Sequence, residues 1–139
     1  MGLRLETLAA EYAAARANPQ RLMVIASAFE EMNGARSSTL YGYLAAHRRF
    51  HFTVYQTSEM PVLFNAIETL WLRMGPVMNL AAALADVEEE TAAHQALVSA
   101  LHSGAPNASS RAIEEDLRLA GDRTTRFLLG LVEKTEIAP

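Results

Sequence analysis

Apolar residues recur every three or four positions along most of the chain, and this spacing predicts helices. In the clearest stretch, residues 40–55, one helical face carries Leu40, Leu44, His47, His51 and Val54. The two histidines interrupt an otherwise apolar stripe and lie one turn apart, so both imidazoles can be directed at a common atom. Because polar groups on a buried face must be satisfied, this pair needs a partner.

The first half of the chain is predicted to form three helices. The first covers residues 3–17 and ends before Pro19, since the residue before a proline is disfavoured in a helix. Pro19 suits the first turn of the second helix, and Gly34 is expected to stop it. Ser37 or Ser38 is the expected cap of the third helix, which carries the paired histidines.

The second half is predicted to add three or four helices. Pro61 opens the fourth helix, which the pair 75–76 (Gly-Pro) either kinks or splits. Asp86 resembles the cap of the fifth helix, and residues 103–104 (Ser-Gly) close it. The sixth follows Pro106, and the last few residues are expected to be a polar tail. Since no segment alternates with a period of two, we expect one all-α domain over residues 1–139, an antiparallel bundle of six to seven helices.

Composition narrows the possible functions. Twelve lysines and arginines against sixteen acidic residues give a net charge of −4, which argues against this chain binding a nucleic-acid backbone by itself. The absence of cysteine excludes disulfides and thiolate metal sites, and leaves imidazole and carboxylate as metal ligands. No stretch predicts a membrane span or a secretory segment, so we expect a cytoplasmic protein.

Two further polar residues lie on predicted inner faces. His94 is in the middle of the fifth helix's stripe, and Asp116 is near the start of the sixth helix's stripe. Together with His47 and His51 they would offer three imidazoles and one carboxylate to a divalent first-row metal. The alternative is that the histidines are hydrogen-bonded in the core and Asp116 is solvated.

Several motifs carry a family resemblance. The segment His47-Arg-Arg-Phe-His51, followed by Ser58-Glu-Met-Pro-Val-Leu63, resembles the Asp-x-x-Phe-His…Asn-Pro-x-Leu pattern of FCD domains. These are the ligand-sensing C-terminal domains of FadR-branch GntR-type transcriptional regulators. Residues 90–101 are similar to the family's Glu-His-x-x-Ile-x-x-Ala-Leu helix, and residues 108–117 to its closing Ala-x-x-x-Met-x-x-His-Leu. The opening Leu-Glu…Ala-Ala of the family matches Leu5-Glu6…Ala13-Ala14, so the resemblance covers about 3 to 130.

The resemblance implies that the metal ligands are His47, His51, His94 and Asp116. The family's first ligand is normally aspartate or asparagine and is His47 here, whereas its last is normally histidine and is Asp116 here. The exchange keeps three histidines and one carboxylate, which we interpret as retained binding with a changed geometry. The alternative is a degenerate site that binds no metal.

The resemblance also implies a regulatory sensor for a small organic acid, holding zinc or nickel, or else manganese, cobalt or iron. An arginine that the family places three residues before Leu-Glu is Gly2 here, so Arg48, Arg49 or Arg73 would have to bind the effector's anionic group. Family members are commonly homodimers, and Trp71 and Leu72 on the fourth helix are candidate dimer contacts. No winged-helix segment is present in these 139 residues, so DNA binding is expected only through such a domain elsewhere.

Two other functions stay open. In a metal-dependent hydrolase, the metal would activate water, and Glu90 is the one plausible general base. Solvation on the helix surface explains Glu90 more simply, and His102 is expected to be exposed near its helix end, so we do not expect an enzyme. In a metal-free helical interaction module, the histidines and Asp116 would only form hydrogen bonds in the core.

Overall fold

The computed structural model describes residues 2–137, with side chains for residues 3–135. It contains six α-helices: α1 (Gly2–Arg16), α2 (Pro19–Gly34), α3 (Leu40–Thr57), α4 (Pro61–Ala81), α5 (Val87–His102) and α6 (Pro106–Ile137). Single 3-10 turns follow α2 (Ala35–Ser37) and α4 (Ala82–Leu84). No strand occurs within residues 2–137, which confirms the predicted all-α bundle. Residues 1 and 138–139, the ends of the predicted domain, lie outside the described part.

The predicted start and end of α5 are confirmed. The carboxylate of Asp86 accepts a hydrogen bond from the backbone N–H of Glu89 at 3.0 Å and caps α5. After α5, Gly104 has a φ of 61°, a left-handed conformation that favours glycine.

The cap of α3 was predicted wrongly, and the end of α2 has an unexpected conformation. The cap of α3 is Thr39, whose hydroxyl accepts from the N–H of Gly42 at 3.0 Å, because Ser37 belongs to the preceding 3-10 turn. α2 ends at Gly34 as predicted, but Gly34 keeps right-handed helical angles and leads into that turn, so it is not a left-handed cap.

α4 is not split, and α6 is longer than the sequence suggested. Pro76 lies inside α4, and the helix continues through it to Ala81 without splitting. The expected polar tail is instead part of α6, which is helical as far as Ile137. Neither helix, nor any other between residues 2 and 137, has the length and apolar character of a bilayer-crossing segment.

The core is built around α1. Apart from Glu6, its buried face consists of alanines, which allow close approach of α3, α4, α5 and α6. The largest side chains buried around it are Tyr55, Phe50, Ile25, Met32, Ile67, Leu97, Leu101 and Ile113. The outer ends of the predicted stripes are exposed, as at Leu40 (54% exposed), because they extend past this core.

The packing leaves a gap where polar side chains meet. α5 and α6 pack against each other, while α3 packs against α1, α2 and α4. Among the described residues, no Cα of α3 lies within 8 Å of one in α5 or α6. Side chains therefore bridge the space between these helices, and that space holds the candidate site.

Candidate metal centre

The structure brings the four predicted ligands together between α3, α5 and α6. The ligand atoms of His47, His51, His94 and Asp116 all lie within 4.8 Å of one another. His51, His94 and Asp116 are buried, whereas His47 is half-buried at the edge of the group. Three helices thus direct nitrogen and oxygen donors at one interior point.

The distances inside this group fit a common cation. Nε2 of His51 lies 3.2 Å from Oδ2 of Asp116, and Nε2 of His94 lies 3.0 Å from Oδ1 of the same carboxylate. The two Nε2 atoms are 3.2 Å apart. Donors bound side by side to one first-row metal, with bonds of about 2.1 Å, lie roughly 3.0–3.4 Å apart. The three buried donors therefore match neighbouring positions of one coordination sphere.

Burial also sets the protonation states that a cation requires. It lowers the pKa of His47 to about 4 and the pKa of His51 well below its usual 6.5. Burial alone would raise the pKa of Asp116, but attraction to His51 and the hydrogen bond with His94 outweigh it and lower that pKa. At neutral pH His47 and His51 are therefore uncharged and Asp116 is a carboxylate. A divalent cation would offset this buried negative charge.

A hydrogen-bond chain determines the tautomer of His51. The hydroxyl of Tyr55 donates to Oε1 of Glu6 at 2.7 Å, so its own oxygen is left to accept from Nδ1–H of His51 at 3.2 Å. The proton of His51 therefore lies on Nδ1, and the lone pair of Nε2 points at the centre. Such outer contacts typically orient histidine ligands in metal sites.

Glu6 and Trp71 complete this support. Oε1 of Glu6 also accepts from the indole N–H of Trp71 at 3.0 Å, and burial raises the pKa of Glu6. The Trp71 ring stacks on His47 with centroids 5.9 Å apart. Trp71 is half-buried on the inner side of α4 with its ring against the histidines, and its role as a dimer contact stays a prediction.

His94 has a different environment. Its Nδ1 is buried without a hydrogen-bond partner among the described residues. Its ring packs against the ring of Phe50, with centroids 5.4 Å apart in an edge-on arrangement. Packing, not a hydrogen bond to Nδ1, orients this imidazole.

A cavity of about 360 Å³ reaches the centre at His47. Its wall includes Glu90, which is 3% exposed, accepts a hydrogen bond from Tyr43, and pairs with Arg36 and Arg123. The interpretation of Glu90 as a solvated surface residue was therefore wrong. His102 is exposed at the end of α5, as predicted.

The three arginines predicted to bind an effector lie on the surface. The guanidinium of Arg48 lies over Phe52, and Arg49 pairs with Glu31 at 2.6 Å. Both line a wider groove of about 630 Å³ that also reaches His47. Arg73 is exposed and lines neither this groove nor the cavity beside Glu90.

Sequence reasoning missed the two arginines nearest to the cavity. Arg123 follows Asp116 by seven residues, which is two helical turns and places both on one face, so this spacing was a usable signal. Arg36 lies in the turn before α3, where no periodicity points to it.

Comparisons with known proteins agree with this architecture. Residues 3–119 match the model of the FCD domain. The HTH-type transcriptional regulator McbR of Escherichia coli (strain K12) is 32% identical over 76 residues, which cover 54% of this chain and 34% of that protein. The solved structure of E. coli McbR/YncC has a TM-score of 0.73 at 22% identity, and the alignment covers 95% of this chain and 64% of that one.

The chain belongs to the FCD family. The resemblance found in the sequence is thereby confirmed, and the chain is a ligand-sensing regulatory domain. The likeness to the solved structure shows the shared fold. The chain spans about a third of the length of the curated relative that it matches.

Proposed function

We propose that this chain is the metal-dependent sensing domain of a GntR/FadR-type transcriptional regulator and that its effector is a small organic carboxylate. The convergence of His47, His51, His94 and Asp116 within 4.8 Å carries the proposal. A first-row divalent cation, zinc or nickel first, would supply coordination positions that a carboxylate oxygen occupies.

The gap between the helices supports a regulatory role. His51 belongs to α3 and His94 and Asp116 to α5 and α6, whose backbones do not touch α3. Donors that close around a common point draw these helices together, so ligand binding would favour one arrangement of the bundle over another.

The same proposal gives the partners. DNA contact would come from a winged-helix domain outside the matched region, in line with the helix-turn-helix name of the McbR relative. We expect a cytoplasmic homodimer, with Leu72 of α4, which is 65% exposed, as a candidate contact.

No catalytic step is part of the proposal. Glu90, the one candidate general base, is held by Tyr43, Arg36 and Arg123. Its burial alone would raise its pKa, but the hydrogen bond from Tyr43 and nearby positive charges outweigh this and lower it. A carboxylate held in this way is a poor proton acceptor.

Elemental analysis tests the metal. Protein purified without chelator or a nickel column should contain about one first-row metal ion per chain. His51→Ala and His94→Ala should each lose it and melt at a lower temperature, whereas His102→Ala, an exposed histidine at the end of α5, should retain it. Normal metal content in both centre variants would contradict the proposal.

Thermal shifts test the effector. A panel of small organic acids should raise the melting temperature of metal-loaded protein more than that of chelator-treated protein, because a ligand that binds only the folded state stabilises it. Turnover of esters or phosphates that disappears with chelator would instead favour the hydrolase.

A further inference from the structure

The cavity that reaches His47 has two chemically different walls. It lies between the first half of α3, the end of α4 and the start of α5, and its volume of about 360 Å³ is in the range of small-molecule sites. One wall is apolar and is formed by Leu40, Leu44, Met78, Ala82, Ala83 and Val87. The other wall carries Arg36, Tyr43, Glu90 and Arg123.

The polar wall has a surplus positive charge. Oε1 of Glu90 lies 3.4 Å from Nη2 of Arg36, and Oε2 lies 3.2 Å from Nη1 of Arg123. Two guanidiniums against one carboxylate leave a net charge of +1. The arginine side chains are only 18% and 12% exposed, so water screens this charge poorly.

Both arginines also keep unused donors. Each guanidinium directs only one terminal nitrogen at Glu90, Nη2 of Arg36 and Nη1 of Arg123, so the second terminal nitrogen of each is left to donate to a ligand. The guanidinium of Arg36 is held over the ring of Tyr43, 4.6 Å from its centroid. A planar carboxylate is the group that such spare, oriented donors bind best.

We propose that Arg36 and Arg123 form a second anion site and that the ligand of this cavity is a dicarboxylate with an apolar spacer. One carboxylate pairs with the two guanidiniums, the spacer lies against Leu44 and Met78, and the other carboxylate reaches the centre beside His47. The second half of this statement rests on the proposed function, whereas the arginine site requires no metal.

Two observations define the ligand class. The net charge of +1 is balanced by one carboxylate, whereas a phosphate dianion would leave excess negative charge beside Glu90. Moreover, the apolar wall formed by Leu40, Leu44, Met78, Ala82, Ala83 and Val87 favours a hydrocarbon spacer between the two charged ends of the ligand.

Calorimetric titration of the metal-loaded chain tests the proposal. The probes are succinate, adipate and suberate, each compared with the monocarboxylate of equal length: butanoate, hexanoate and octanoate. At least one diacid should bind roughly 10- to 100-fold more tightly than its monoacid, which is the size expected for an added charge-assisted contact. No preference for any diacid would overturn the proposal.

Three variants assign the preference to residues. Arg123→Gln should abolish the diacid preference, and Arg118→Gln is the matched control, since Arg118 is exposed on the same helix and pairs with Glu115 and Asp122. Glu90→Gln should instead tighten diacid binding several-fold, because it removes the competing charge while keeping the shape. If Glu90 had only a structural role, Glu90→Gln would not bind the diacid more tightly. The proposal can therefore still be tested if Arg123→Gln folds poorly.

Repeating the titrations on chelator-treated protein separates the two hypotheses. A chain that binds no metal but still binds carboxylates in an Arg123-dependent way would overturn the proposed function and support the arginine site. A metal-loaded chain whose diacid preference is the same in wild type and Arg123→Gln would overturn the arginine site and leave the metal centre standing.

Discussion

Tyr55 and His51 lie one turn apart on α3, and the phenol oxygen is 3.2 Å from Nδ1 of the imidazole. Because the phenol proton is donated to Glu6, the imidazole has to be the donor in this contact. The orientation of a candidate ligand on α3 thus depends on a carboxylate of α1.

Removing this hydroxyl should weaken the metal site without removing a ligand. Tyr55→Phe keeps the buried ring but leaves Nδ1 of His51 without its acceptor, so metal affinity should fall roughly 10- to 100-fold. Tyr41→Phe is the matched control, since Tyr41 is on the same helix and is 84% exposed. Competition against a chromogenic chelator measures both, and equal affinities would refute the role of Tyr55.

The metal-free protein should lose stability as the pH falls below neutral. The pKa of His47 is about 4 when folded, because of burial, against 6.5 when unfolded. Between these two pH values His47 is protonated in the unfolded chain but not in the folded chain. The free energy of unfolding therefore decreases as the pH is lowered, by up to about 1.4 kcal/mol per pH unit for this residue. The stability that the uncharged His47 contributes is fully present above pH 6.5 and is lost by about pH 4. The lowered pKa of His51 acts in the same direction.

Urea titrations at pH 7, 6 and 5 measure this dependence. Because Glu6, whose pKa is raised, acts in the opposite direction, the readout is the difference in slope between wild type and His47→Asn. The variant should show the shallower slope, and His102→Gln should behave as wild type. Parallel slopes for wild type and His47→Asn would contradict the burial effect.

Two glycines at helix ends should respond oppositely to alanine. Gly104 has a φ of 61°, so Gly104→Ala should cost about 1–2 kcal/mol although its Cβ would meet nothing closer than 3.9 Å. Gly34 has right-handed angles and open space around a Cβ, so Gly34→Ala should be neutral or stabilise by roughly 0.5–1 kcal/mol. Urea unfolding of the two variants decides, and effects of the same sign would be inconsistent with these conformations.

Trp71 should report occupancy of the centre. It is the single tryptophan of the chain and stacks on His47. Nickel or cobalt added to chelator-treated protein should quench its fluorescence strongly, and zinc should change it less, because zinc is not paramagnetic. His94→Ala should show no saturable change, and an unresponsive wild-type signal would count against binding at this place.

The helices and the four candidate ligands could be predicted from the sequence, but the residues that contact and surround these ligands could not. Helical periodicity marks His47, His51, His94 and Asp116 because each lies within an apolar stripe. The pairing of Glu90 with Arg36 and Arg123 joins three segments distant in sequence, and a glutamate near a helix start is normally solvated. The hydrogen bond from Trp71 to Glu6 was not predicted for the same reason, since the two residues are 65 positions apart.

α6 contributes a residue to the metal centre and a residue to the arginine site. Asp116 and Arg123 belong to this one uninterrupted helix, which continues to Ile137, about 30 Å beyond Asp116. A rod of that length converts a tilt of about 5° at the buried carboxylate into a displacement of roughly 3 Å at its far end. Small adjustments of atoms around one interior point would therefore be amplified at the periphery, without any segment having to unfold.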